Sequence, residues 1–112
     1  MDVSALFIEI VGLYAKHGWQ LRRVLLRPEA RARLDQYFAA QNVSPTDAPI
    51  DALWFSRPSH SAREAWELRA LSENPYALFE TFEADEAAED REDVLKEMEN
   101  RMREYLTSNR TA

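Results

Sequence analysis

Residues 50–83 read IDALWFSRPSHSAREAWELRALSENPYALFETFE. Three runs rich in Trp, Phe, Tyr and Leu (50–57, 63–71 and 76–83) are split by PSHSA and SENP, two short loops of turn-forming residues. That is the pattern of an antiparallel meander. A four-residue SENP loop sets Leu71 opposite Tyr76, which places Trp66, Leu68 and Ala70 across from Thr81, Phe79 and Ala77 on one apolar face. The reverse face then carries Glu67 and Arg69 beside Tyr76, Leu78, Glu80 and Phe82. Half of it is apolar, so something should cover it.

Upstream, residues 19–27 (WQLRRVLLR) fit two patterns. As a strand, Leu21, Arg23, Leu25 and Arg27 share one face, with Gln20, Arg22, Val24 and Leu26 on the other. As a helix, Leu21, Val24 and Leu25 would align instead. The position between Gly18 and Pro28, and the Trp, Val and Leu content, favour the strand. Two arginines on one face suit an edge strand, where long stems cover apolar surface and the charged heads stay wet. Pro28 then opens a helix that ends near Gln41, with Ala30, Leu34, Tyr37 and Phe38 as its buried stripe. NVSPTDAP (42–49) reads as a loop. Strand, helix and strand in that order form one crossover, right-handed if the strands are parallel.

Further upstream, a helix over 3–16 is capped by Asp2 or Ser4 and stopped near Gly18. Val3, Leu6, Phe7, Ile10, Val11 and Tyr14 line one face at helical spacing. Ile8 and Leu13 fall outside that stripe. A helix so apolar around its girth wants contacts on two sides, and in a small domain the second is often another subunit. Gly12 would let a neighbouring backbone come close.

Downstream, Ala87, Val94, Leu95, Met98, Met102, Tyr105 and Leu106 repeat at three and four and give the last helix, capped near Asp85. Glu92 with Lys96, Glu97 with Arg101 and Glu99 with Arg103 form i,i+4 pairs in the favoured order. Residues 1–107 then make one domain, and 108–112 should fray. The class is α+β: a three-stranded antiparallel meander plus a fourth edge strand, packed with three helices in the order α-β-α-β-β-β-α. The first and last helices are expected on one face, the second at the side or over the other.

With 112 residues and 46% hydrophobic content, the chain can bury a single core without staples. It contains no cysteine, which removes disulfides, thiol nucleophiles and thiolate metal sites and points to a reducing cytosol. The first residues hold Asp2 and Glu9 and no basic leader or cleavage site, so neither a signal peptide nor a membrane span is expected. Net charge is −6, divided as +3 over residues 1–34 and −9 over the rest, with ten acids between Glu80 and Glu99. Such polarity favours self-association or a basic partner, opposes nucleic acid, and also describes a plain solvated helix face.

Three clusters bear chemistry. The loop SRPSHSAR offers Arg57, His60 and Arg63, with Trp66 just beyond, as a candidate phosphate or carboxylate site, because a guanidinium is a planar donor fork. It lacks a glycine-rich cradle or a helix start, so a polar hairpin tip explains it equally. The histidines, His17 and His60, have no partner ligand at metal spacing, and no metal or cofactor is expected. Ser59, His60 and Asp51 lack a nucleophile elbow, so no catalytic residue is assigned. Trp19, Trp54, Phe55, Trp66, Tyr76, Phe79 and Phe82, interleaved with Arg22, Arg23, Arg57 and Arg69, form either a stacking platform or a core.

The resulting expectation is a non-enzymatic interaction or adaptor domain that self-associates, with Phe7, Ile8, Leu13, Leu78 and Phe82 at the interface. The alternative is a small-ligand or anion-binding domain, even a degenerate enzyme, that uses Arg57, His60, Arg63 and Trp66.

Overall fold

The computed structural model describes residues 2–41 and 43–111. Its elements are α1 (Val3–Lys16), β1 (Gln20–Leu26), α2 (Pro28–Gln41), β2 (Pro45–Asp47), β3 (Ala52–Pro58), a single 3-10 turn (His60–Ala62), β4 (Glu64–Ala70), β5 (Ala77–Phe82) and α3 (Ala88–Thr111). The domain is α+β, and residues 19–27 contain a strand. Helix limits follow local chemistry. The Asp2 carboxylate accepts from Ser4 N–H at 3.3 Å at the start of α1. At its end Gly18 takes φ +83, where a side chain would be strained, and the Gly18 and Trp19 N–H groups close on the Ala15 and Tyr14 carbonyls.

The five strands lie in the order β2-β1-β3-β4-β5. The meander β3-β4-β5 is antiparallel throughout, and β1 joins it antiparallel to β3. The segment 42–49, expected as loop, contributes β2, which runs parallel to Val24–Leu26; Asn42 lies outside the described residues. The short strand is held by Ala48 N–H on the Leu26 carbonyl and by Arg31 on Asp47 at 2.6 Å. So β1 is an edge only over its first half. There the pairing with β3 slips by one residue between Leu21 and Arg23, a bulge at Arg22. The bulge turns Leu21 to the same face as Val24 and Leu26, not the face of Leu25.

Both sheet faces are apolar, one covered by α3 and the other covered over β1 and β3 by α1 and α2. Val24, Leu26, Leu53 and Phe55 meet Phe7, Ile10 and Tyr14 of α1 and Leu34 and Phe38 of α2. On the other face Leu25, Ala52, Trp54, Trp66, Leu68 and Phe82 meet Leu95, Met98 and Met102 of α3. The expected sharing of a face by α1 and α3 is therefore wrong. Very short connections on either side of β1 dock α1 and α2 together, and the wide Trp54/Trp66 surface is left for α3.

The β4–β5 register also differs from expectation. Leu68 pairs with Leu78 and Glu67 with Phe79, one residue off the register that a four-residue loop implies. Leu71 leaves the strand to bond the Asp51 carbonyl through its N–H at 2.9 Å, and its side chain enters the α1–α2 core. The turn is thereby lengthened, and every β5 side chain changes face.

On α3, Ala87 takes the place expected of Asp85 at the start: its carbonyl accepts the first helical bond, from Arg91 N–H. Two carboxylates expected in i,i+4 pairs reach the sheet instead. Glu92 meets Arg23 at 2.5 Å, which holds the Glu92 carboxyl below its ordinary range, and Glu99 accepts from the Trp54 indole at 2.8 Å. Residues 108–111 continue α3 in their backbone, and Ala112 lies outside the described residues.

Candidate functional site: a trough between α1 and the β5 edge

The helices α1 and α2 cover one face of the sheet only as far as β3. Beyond α1 the register assigns the same face Ala65, Glu67 and Arg69 from β4 and Ala77, Phe79 and Thr81 from β5, with exposure growing from the buried Ala65 towards β5. The result is a trough with α1 as its wall and β4–β5 as its floor. Phe79 is 59% exposed on that floor, and Leu13 is 49% exposed on the wall.

Its lining is organised by Tyr14. The Tyr14 ring stacks on Phe55 at 4.1 Å, and its hydroxyl donates to the Glu67 carboxylate. Burial first, and then the bond to Glu67, push the Tyr14 pKa up to about 12, against an opposing pull from Arg69. Trp19 touches Tyr14 at 6.0 Å and Phe79 at 6.4 Å, so a line of rings crosses from α1 to β5. Arg57 lies 4.5 Å over the Trp19 ring and donates to the His17 carbonyl at 2.8 Å.

The trough opens into hollows. One of ≈230 Å³ lies between Glu9 and Leu13 on the wall and Arg69 on the floor. A larger one of ≈510 Å³ sits at the β3–β4 hairpin end, lined by His17, Gly18, Arg57, Pro58, Ser59, His60, Ala65 and Phe79.

The four residues of the anticipated anion loop are divided. Arg57 and His60 line the larger hollow. Arg63 turns away to Glu83 at 2.9 Å. Trp66 lies on the opposite face, buried against Trp54, with its indole donating to Glu64 at 2.6 Å. Arg22 and Arg23, 5.5 and 5.6 Å from its ring, show where the two β1 arginines go.

The anticipated interface set divides too. Ile8 is 54% exposed and joins Leu13 on the outside of α1. Phe7 and Phe82 are each 1% exposed, one in either core, so neither can meet a partner on the surface. Leu78 is half-buried against the α3 side. Phe79 and Trp19, which the sequence offers only within the aromatic set read as stacking platform or core, are the site residues outside both anticipated groups. The register implied by a four-residue loop puts Phe79 on a buried face, and the Gly18–Trp19 turn is the only hint that Trp19 sits at a sheet end.

Among the described residues no group of three or more His, Cys, Asp or Glu is placed to hold a metal ion, and no helix is long and apolar enough to cross a membrane. The class defined by fold and site is thus an α+β domain with a mixed sheet between helices and one half-open face. Comparison with protein-family models, curated proteins and solved structures returned no match.

Proposed function

We propose that this chain is a non-enzymatic interaction domain that self-associates through the outer side of α1. The observation that carries the reading is the pair Ile8 and Leu13, both exposed, flanking a Gly12 around whose absent Cβ nothing lies within 4 Å. At 100° per residue, Ala5, Ile8, Glu9, Gly12, Leu13 and Lys16 project from the side of α1 that turns away from Phe7, Ile10 and Tyr14.

A two-fold axis beside α1 sets two such helices antiparallel. Ile8 and Leu13 of each copy then flank the contact, Gly12 allows close approach, and Glu9 of each copy comes towards Lys16 of the other. Charge and shape are both self-complementary, as an isologous contact requires. A stable dimer buries about 1,200–2,000 Å², more than one pair of 14-residue helices supplies. The partner therefore also lies over the near end of the trough, beside Glu9, Leu13 and Arg69 and short of the hairpin end. A chain with no cysteine suits the reducing cytosol, and we place it there.

Sedimentation equilibrium at micromolar concentration tests this reading. The expected species has twice the 13.0 kDa protomer mass, and Leu13→Glu reduces it to a folded monomer. A wild-type chain that sediments as a monomer removes the proposal.

A further inference from the structure

We infer that the ≈510 Å³ hollow at the hairpin end of the trough binds a small oxyanion carried on a flat apolar body, such as an aryl phosphate or an aromatic carboxylate. The hollow lies past Lys16, where α1 ends, so this inference does not depend on self-association.

The anion end is set by Arg57. Its guanidinium is fixed before any ligand arrives, stacked over Trp19 at 4.5 Å and bonded through Nη1 to the His17 carbonyl. Among the described residues no acceptor meets its Nε or Nη2, which leaves the side of the planar fork that matches an oxyanion. His17, Ser59 and His60 also line the hollow, and their side chains are of donor-bearing types.

None of the lining residues is acidic, although the whole chain carries −6. Glu67, which lines the adjoining hollow with Arg57, accepts from the Tyr14 hydroxyl. The apolar end is the exposed Phe79 ring, with the methyl group of Ala65 beside it in the lining. His60 is presented by a turn whose next two residues, Ser61 and Ala62, both have positive φ, a strain the chain keeps beside this hollow.

Isothermal titration with phenyl phosphate, benzoate, inorganic phosphate and neutral benzamide tests the assignment. Saturable binding of phenyl phosphate or benzoate is expected, tighter than inorganic phosphate and with benzamide silent. The tighter of the two aryl anions identifies the ligand's acid group. Arg57→Gln should weaken binding about tenfold, the loss of one charge-assisted fork, and Arg57→Lys, which keeps the charge without the planar fork, should recover only part of it. Arg63→Gln, on the same loop but committed to Glu83, should leave affinity unchanged. Failure of both aryl anions to bind overturns the inference. So does an equal loss in Arg63→Gln and Arg57→Gln, because diffuse charge would then account for the attraction.

Discussion

At the tip of the β3–β4 hairpin the backbone asks for glycine and receives serine and alanine. Ser61 has φ 59 and ψ 38, Ala62 has φ 62, and Arg63 N–H closes on the His60 carbonyl at 3.1 Å, the geometry of a type I′ turn. Each left-handed residue with a Cβ costs about 1–2 kcal/mol, and glycine returns part of that through a freer unfolded chain. Ala62→Gly should therefore stabilise the fold by roughly 0.5–1 kcal/mol, read as a higher urea midpoint at constant slope. A lower midpoint would mean that the turn is not strained. Tyr14 carries the opposite kind of residue effect, a favourable one that depends on pH. Its hydroxyl keeps its proton to about 12 in the fold against 10.0 when unperturbed. The folded state then binds more protons than the unfolded one across that window. The stabilisation is complete below pH 10 and is lost as pH climbs towards 12. Tyr14→Phe should flatten this part of the stability profile and cost about 1 kcal/mol at neutral pH, where the bond to Glu67 is missing.

Helices were the legible elements and sheet pairings were not, for a physical reason. The limits of α1 and α2 rest on residues within the same few turns: Asp2, Gly18, Pro28 and the spacing of Leu6, Ile10, Leu34 and Phe38. The β4–β5 register rests on Leu71, which leaves the strand for a bond to Asp51 and a core built by α1 and α2. No local pattern carries that information. The bulge at Arg22 and the face taken by α3 belong to the same class of tertiary choice. The candidate site inherited the error: Arg57 and His60 were readable from the loop, whereas the exposure of Phe79 followed from the β4–β5 register, and Trp66 pairs with Ser56, on the face opposite Arg57. The α1 element, legible and complete, also yields the sharpest test of antiparallel pairing. Glu9→Lys alone sets the introduced ammonium of each copy against Lys16 of the other, and should weaken the dimer several-fold. Adding Lys16→Glu restores opposite charges across the axis, and should recover most of the affinity. Sedimentation of the three proteins decides it. If the double reversal stays as weak as the single one, the two helices do not run antiparallel.

On the scale of the whole molecule, charge and grease are separated. The 24-residue α3 and its acids occupy one side of the sheet, while Ile8, Leu13 and Phe79 are exposed on the side of α1. Two copies approaching through α3 would set acid against acid. Approach through α1 brings Glu9 towards Lys16 and removes the apolar surplus from water, so the sheet itself divides a repelling side from an adhesive one. Stability should consequently depend on how much protein is present. A contact that forms only between folded copies draws the unfolding equilibrium towards the folded state by mass action. For a domain of this size, raising protomer concentration about a hundredfold above the dissociation constant should lift the thermal midpoint by roughly 5 °C. Leu13→Glu should show no such rise, because it leaves α1 folded but forbids the contact. Differential scanning calorimetry over that range separates the two cases. A wild-type midpoint that stays level with concentration would mean that the exposed face of α1 is content with water.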